Sequence, residues 1–308
     1  MNTAPERVAE LRRVPLPDWP QGWYVVARSS DVPPRGVCTT NIAGHEIVVF
    51  RTASGVLGAL DAHCPHMGAH LGRGRVDGEH LECALHCWRL TAEGAVAGRE
   101  KRTRAWPVRE HSGLVMLEVG HGGRIPEAGG EDFDWTRGTL LDIATQWHGL
   151  VANGFDMVHL CTVHHRDLVE PPKVAVEPGW RCSLHYISRV RGHEWSDRLM
   201  RWLSRDRIDV RVHCYGAITT VETDLGFTRT SAFIGMTPNG EGTKLFVSFG
   251  VRRGPFRRLR VALTRALFTA FLKRDLGVVE GMKLRTDVDD PILQALFDFL
   301  RTLRPVRE

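Results

Sequence analysis

The pattern of hydrophobic and polar positions changes character along the chain. Up to about residue 120, short apolar runs rich in β-branched and aromatic residues alternate with glycine and proline, which is typical of a small all-β unit. Farther on, strand-like alternation is joined by helical periodicity. The predicted strands cover 140–146, 181–192, 208–224, 226–237 and 243–252, and the predicted helices cover 147–165, 255–283 and 290–303. We therefore predict an α+β protein whose second half is an antiparallel sheet with helices on one side.

These changes divide the 308 residues into four segments. We predict an N-terminal arm at 1–20, an all-β domain at 21–119, a glycine-rich linker at 120–138 and a larger domain at 139–308.

Composition and charge narrow the class of protein. With 43% hydrophobic and 25% charged residues, the chain suits a globular protein with a real core. No apolar run approaches the ~20 residues that span a membrane. The first residues lack the apolar region of a signal peptide, so we expect a cytoplasmic protein. The net charge of +5 accompanies no nucleic-acid-binding motif, and we expect no nucleic acid partner.

The stretch from Cys64 to His86 holds two Cys-His pairs. Cys64 and His66 form the first pair, and Cys83 and His86 form the second. Two thiolates on one iron and two imidazoles on the other are the ligand set of a Rieske [2Fe–2S] centre. Tetrahedral zinc is the alternative, but zinc fingers usually pair Cys with Cys and His with His. The mixed pairs therefore favour the iron–sulfur cluster.

A second group of potential ligands lies in the predicted helix 147–165. It comprises Asn153, Asp156, His159 and His164. Two histidines and a carboxylate form the facial site of non-haem Fe(II) proteins. On an ideal helix, His159 and His164 would point about 140° apart. We therefore predict that the helix unwinds or bulges near Thr162 and Val163, and we regard His165 as a competing surface imidazole.

Both motifs, in this order, resemble those of the oxygenase (α) subunit of Rieske non-haem iron oxygenases. Ketosteroid-hydroxylase-like and sterol-desaturase-like members are the most similar. The resemblance implies a helix-grip (START-like) second domain that holds mononuclear Fe(II). The implied cluster ligands are Cys64, His66, Cys83 and His86, and the implied iron ligands include His159 and His164.

The resemblance also implies a homotrimer. In the family, a carboxylate at the position of Asp156 joins the cluster histidine of one subunit, here His86, to the iron-binding histidine of the next, here His159. We therefore expect the same head-to-tail ring.

The third iron ligand is expected to be a carboxylate near the C-terminus. The candidates are Asp287, Asp289 and Asp290. In the related ketosteroid-hydroxylase-like sequences the ligand lies two residues before a proline, and Asp289 fits that pattern. Acidic residues also favour the start of a helix, here 290–303, so the choice stays open among the three.

The resemblance implies O₂-dependent oxidation, with hydroxylation of a bulky apolar substrate such as a steroid or sterol as the leading reaction. Hydroxylation or demethylation of a small aromatic compound is the alternative. The chain has no dinucleotide fingerprint, so electrons are expected from a separate ferredoxin or flavin-dependent reductase. Two other classes compete: a Rieske electron carrier with a ligand-binding domain, and a passive small-molecule carrier.

The substrate pocket is expected within residues 140–300, with few clamps for an anionic ligand. Candidate lining residues are Ile218, Phe233, Ile234 and Phe249. The basic amphipathic stretch 256–274 is expected to pack on its own domain. A peripheral membrane contact is the alternative for this stretch.

Overall fold

The computed structural model describes residues 12, 14–120, 123–130, 132–226, 228–240 and 242–306. The first nine strands in these ranges form three small antiparallel sheets, with orders β2-β3-β4, β5-β6-β7 and β1-β9-β8. The strands are β1 (Gly22–Arg28), β2 (Val37–Ile42), β3 (His45–Arg51), β4 (Leu57–Asp61), β5 (Arg75–Asp77), β6 (His80–Glu82), β7 (Arg89–Leu90), β8 (Val108–His111) and β9 (Leu114–Val119).

Strand β3 is buried on both faces. Ile47 and Val49 contribute to one apolar cluster, whereas Val48 and Phe50 point the other way into a second cluster. Successive side chains of a strand alternate between faces, so this run of four apolar residues joins two layers of core. The second cluster also contains Cys64 and Cys83, which fixes the cysteines to the core.

The second half of the chain is built on one antiparallel sheet of nine strands within the described ranges. Its main order is β10-β18-β17-β16-β15-β14-β12, with β11 paired to β18 and β13 paired to β14. The strands are β10 (Phe133–Trp135), β11 (Thr139–Ile143), β12 (Arg166–Leu168), β13 (Lys173–Glu177), β14 (Arg181–Val190), β15 (Ile208–Cys214), β16 (Ile218–Asp224), β17 (Arg229–Asn239) and β18 (Gly242–Arg252).

Five described helices accompany this sheet. They are α1 (Trp147–Phe155), α2 (Met157–Thr162), α3 (Trp195–Ser204), α4 (Arg257–Val279) and α5 (Pro291–Thr302). One apolar core joins α1, α2 and α5 to the inner face of the sheet, and apolar residues of α4 pack against it. The predicted α+β arrangement is confirmed.

Three predicted boundaries differ from the structure. The helix expected at 147–165 is broken at Asp156, whose extended backbone separates α1 from α2. The strand expected at 208–224 is two strands, interrupted at residues 215–217. Part of the predicted linker, Phe133–Trp135, is strand β10 and pairs with β18.

The opposite face of the large sheet packs on the N-terminal half of the chain. Ile218 and Phe233 lie in a cluster with Trp23, Val25 and Met116. The prediction that Ile218 and Phe233 line the pocket is therefore wrong, because both point away from the helices. The sheet is consequently covered on both faces.

Pro17 and Asp18, shortly before β1, contact the second half of the chain. The indole N–H of Trp147 donates to the Asp18 carbonyl at 3.0 Å, and His148 Nε2 lies 3.0 Å from the Pro17 carbonyl. No helix in the described part of the chain is long and apolar enough to cross a membrane.

Gly235 allows β17 to approach β1 closely. A Cβ at this position would lie 2.2 Å from Val25 Cγ2. Two residues farther along β17, the Thr237 hydroxyl donates a hydrogen bond to the Val25 carbonyl at 2.6 Å. We expect Gly235→Ala to lower the free energy of unfolding by about 1–3 kcal/mol, because overpacking forces the two layers apart.

Thermal unfolding of the purified protein measures this effect. Gly277→Ala is the matched control, since nothing lies within 4 Å of its Cβ and it is inside helix α4. That variant should gain about 0.5–1 kcal/mol. Equal melting temperatures for the two variants would contradict close packing at Gly235.

Candidate metal centres

Two tight loops of the same geometry present the paired cysteines and histidines. In the first loop, the Gly68 amide donates to the Cys64 carbonyl at 2.9 Å. In the second, the Cys87 amide donates to the Cys83 carbonyl at 3.0 Å. Gly68 has φ +75° and Cys87 has φ +54°, so Cys87 occupies the position that glycine fills in the first loop.

The four predicted cluster ligands are brought together. Cys64 and Cys83 are buried and lie close to each other. Burial raises the pKa of the Cys64 thiol, an amide hydrogen bond from His66 opposes the change, and the neighbouring Cys83 adds to it. The imidazoles of His66 and His86 lie 4.6 Å apart between ring centroids.

This arrangement fits a [2Fe–2S] cluster. His66 Nδ1 is buried without a hydrogen-bond partner among the described residues. A buried polar atom left unpaired is costly, and a metal ion would satisfy it. The His66 ring is also held in place by Trp88. The two rings stack with their centroids 4.2 Å apart and their planes 8° from parallel.

The two loops that carry His66 and His86 form an exposed tip. Apolar side chains lie next to the histidines, and basic side chains lie nearby. Met67 and Leu85 are exposed next to the histidines. Arg99 lies 4.5 Å and Lys101 5.7 Å from the Trp88 ring centroid. The tip thus offers a surface on which another protein can dock.

The break between α1 and α2 positions the second pair of histidines. Asp156 caps α2, and its Oδ1 accepts a hydrogen bond from the His159 amide at 2.8 Å. Helix α2 ends at Thr162, and His165 has φ +50°. The predicted unwinding between His159 and His164 is therefore confirmed, and it turns both imidazoles to one point.

The carboxylate that meets these imidazoles comes from α4. Asp275 Oδ1 lies 2.8 Å from Nε2 of His159 and 2.8 Å from Nε2 of His164. The two Nε2 atoms are 3.1 Å apart. The Phe271 ring, one turn earlier on α4, stacks on His164 at 3.6 Å and holds the imidazole in place.

The prediction of Asp289 as the third member is not supported. Asp287 and Asp289 are exposed in the loop before α5, and Asp290 caps that helix through the amides of Ile292 and Leu293. Asp290 thus serves the helix start, where an oxygen acceptor satisfies free amides. One sequence signal pointed to Asp275, which is the only carboxylate in the 23-residue helix α4.

The ionisation of Asp275 and His164 suits a cation. Burial alone would raise the pKa of Asp275, but hydrogen bonds from His159 and His164, with a further one from Asn153, lower it to about 2. Burial lowers the pKa of His164, and the contact with Asp275 opposes this. Asp275 is therefore an ionised carboxylate and His164 favours the neutral imidazole, and both are metal-ligand forms.

The distances also fit a single metal ion. Metal bonds to imidazole and carboxylate are about 2.0–2.2 Å, so two ligands at right angles lie about 3 Å apart. The three ligand atoms here are separated by 2.8–3.1 Å. Two histidines and one carboxylate on one face are the donor set preferred by non-haem Fe(II).

A cavity of about 230 Å³ lies beside this group. Its walls come from the inner face of the sheet and from α1, α2, α3 and α4, and most of its lining is aliphatic or aromatic. Ile234 lines it as predicted, whereas Phe249 lies in the adjoining core against Phe268. Apolar walls with a few polar groups are typical of sites for small organic molecules.

Part of the cavity lining is polar. Arg166 of β12 and Tyr186 and Ser188 of the neighbouring strand β14 contribute to it, together with Ser196, Asp197 and Arg274. Burial raises the pKa of Tyr186 to about 12, so its hydroxyl stays protonated. Burial lowers the pKa of Arg166. We expected few residues that could bind an anionic ligand, and that expectation missed this arginine.

Comparison with known proteins identifies one domain and a similar fold. Residues 22–111 match the family described as Rieske [2Fe-2S] domain. The fold of the whole chain is similar to that of dicamba monooxygenase bound to 3,6-dichlorosalicylic acid, with a TM-score of 0.69, 18% identity, and coverage of 91% of this chain and 97% of that one. The chain thus carries a Rieske domain, and its fold as a whole is similar to that of dicamba monooxygenase.

Two curated relatives have names that state a substrate. The 3-ketosteroid-9-alpha-monooxygenase oxygenase component of Mycolicibacterium smegmatis is 32% identical over 187 residues, which are 53% of this chain and 48% of the relative. Cholesterol 7-desaturase nvd of Bombyx mori is 29% identical over 168 residues, or 50% and 37% of the two chains. The matches thus span about half or less of the relatives' lengths.

Replacing Asp275 should separate the two metal centres. We expect Asp275→Ala to lose the mononuclear metal and keep the cluster, so that iron falls from about three to about two atoms per chain while the Rieske absorption is unchanged. Mass spectrometry measures the iron content per chain.

Asp289→Ala is the control and should keep its full iron content. Loss of iron in Asp289→Ala alone would show that Asp289, and not Asp275, is the third ligand.

Proposed function

We propose that this chain is the oxygenase component of a Rieske oxygenase system, acting on an apolar substrate with O₂ and with electrons from a separate reductase. The observation that carries the proposal is the group of His159, His164 and Asp275 at the wall of an apolar cavity in a chain with a Rieske domain. An Fe(II) ion held there would provide open coordination positions for O₂ activation.

The division of labour follows the two halves of the fold. Residues 21–119 would accept electrons at the exposed cluster tip, and residues 139–308 would bind the substrate. Basic Arg99 and Lys101 beside the cluster suit an acidic ferredoxin or flavoprotein reductase, because complementary charge speeds encounter. The largely apolar cavity walls would limit the access of water to the reacting position.

The substrate is best matched by a bulky apolar body. The relatives named for a ketosteroid and for cholesterol support a steroid or sterol, and hydroxylation is the leading reaction. A relative named 5,5'-dehydrodivanillate O-demethylase, 26% identical over 162 residues, keeps a smaller aromatic substrate as the alternative.

Two other functions explain less of the molecule. An electron carrier with a ligand-binding domain needs no second metal, and the convergence of His159, His164 and Asp275 would then serve nothing. A passive carrier leaves both ligand groups unexplained. The oxygenase accounts for the cluster, the second centre and the cavity together.

Peripheral membrane contact extends the same proposal. Helix α4 packs on its own domain, with Leu267 buried, while its start and α3 leave apolar side chains in solvent. Those side chains are Phe256, Leu259, Trp195 and Trp202. Apolar residues beside arginines are typical of interfacial segments that meet anionic lipid, and co-sedimentation with anionic vesicles measures such binding.

The two histidines should be required for turnover and dispensable for the cluster. With a matched reductase, we expect His159→Ala and His164→Ala to abolish product formation and leave the Rieske absorption intact. His165→Ala is the control, because His165 is exposed and outside the group. Loss of the cluster absorption in either of the first two variants would assign these histidines to folding instead.

Asp156 is proposed to bridge the cluster of one subunit to the metal of the next in a homotrimer. Asn caps a helix as well as Asp does, so Asp156→Asn should keep the α2 cap and both metals while turnover falls. Asp156→Ala should lose about 1 kcal/mol of stability as well. Normal turnover in Asp156→Asn, or a monomer by native mass spectrometry, would contradict the bridge.

A further inference from the structure

Arg166 is a buried cation without a counter-ion. It opens strand β12, two residues after His164, and is 7% exposed. Its Nη1 is inaccessible and has no hydrogen-bond partner, and no carboxylate in the described ranges lies within 4.0 Å of the guanidinium. Burying an unpaired charge costs several kcal/mol. Such a group therefore points to a ligand that completes it.

The carboxylates nearest to Arg166 are already engaged. Asp197 is buried, and its two oxygens accept from Arg274 at 3.2 and 2.8 Å. Asp206 Oδ1 accepts from the Val190 amide at 3.1 Å. Arg274 also pairs with Glu194 at 2.8 Å, so it holds both Asp197 and Glu194, and none of the neighbouring carboxylates among the described residues forms a direct ion pair with Arg166.

The register of the sheet aims this charge into the cavity. Arg166 pairs with Val190 on the neighbouring strand β14, and residues two apart on a strand share a face. Ser188 and Tyr186 follow on that face, and with Arg166 they line the cavity. The three side chains form a polar part of its lining (Arg166, Tyr186 and Ser188).

We propose that Arg166 anchors a carboxylate at one end of an otherwise apolar substrate. The guanidinium fork matches two carboxylate oxygens, and the hydroxyls of Tyr186 and Ser188 are placed to donate beside them. A ketone or alcohol would accept a hydrogen bond but leave the charge uncompensated. This inference rests on the proposed function, and it narrows the substrate class from apolar compounds to apolar carboxylic acids.

Binding of acids and their methyl esters tests the anchor. The probes are 2-naphthoate and 3-oxoandrost-4-ene-17β-carboxylate, each paired with its own methyl ester and titrated calorimetrically into the metal-loaded protein. Hydrogen bonds to charged groups are worth about 1.5–3 kcal/mol, so at least one acid should bind about tenfold or more tightly than its ester. The probe that binds also reports whether two or four rings fit.

Variants at Arg166 separate recognition from structure. Arg166→Met should lose the preference for the acid, and Arg166→Lys should keep part of it because the charge remains. Since Arg166→Met removes an uncompensated buried charge, its melting temperature without ligand should rise by about 2 °C or more. Arg189→Met is the control, because Arg189 is exposed on the adjoining strand β14 and should change nothing.

Four results would overturn the anchor. They are equal affinity for acid and ester in the unaltered protein, binding of neither acid, a preference that survives in Arg166→Met, and a fall in that variant's melting temperature. Because binding is measured without turnover, failure of the oxygenase proposal is distinguishable. A protein that prefers acids but consumes no O₂ would refute only the oxygenase. One that oxidises neutral sterols with no acid preference would refute only the anchor.

Discussion

The carboxylate of Asp275 lies between two imidazoles, and the arrangement of the second half of the chain depends on that contact. It joins α4 to the α1–α2 segment across more than a hundred residues of sequence. A buried carboxylate must be compensated, and here His159, His164 and Asn153 supply the polar atoms. The contact therefore fixes how α4 crosses the sheet. Because α4 also forms a wall of the cavity, the same contact sets where a substrate can lie.

The local backbone makes this contact possible. A continuous helix through 147–165 would have sent His159 and His164 in different directions. The chain instead breaks twice, once at Asp156 and once after Thr162, and the cap at Asp156 stabilises the short helix between the breaks. Asp156 thus has a structural role that is separate from any role in electron transfer between subunits.

Sequence spacing predicted the groups whose members are close along the chain. Each Cys-His pair lies on one tight loop, and His159 and His164 lie on one interrupted helix, so short-range geometry was enough. The third member of the group, the carboxylate, comes from a distant part of the chain, and sequence spacing carries no information about it. Asp289 matched a local pattern that turned out to be a helix start. Asp275 lies inside the predicted helix 255–283, directly after the stretch 256–274 that was interpreted as basic and amphipathic. The predicted orientation of Ile218 and Phe233 was wrong for a related reason. Both faces of β16 and β17 are buried, so the alternation of apolar residues does not reveal which face meets the helices.

The most direct measurement of the central assignment is electron paramagnetic resonance of the iron-loaded, reduced protein before and after addition of nitric oxide. A mononuclear Fe(II) with open positions gives a high-spin nitrosyl signal, and the reduced Rieske cluster gives its own signal. We expect both in the unaltered protein and in Asp289→Ala, and only the cluster signal in Asp275→Ala. A cluster signal with no nitrosyl signal in fully loaded, unaltered protein would contradict the second iron centre, and with it the oxygenase.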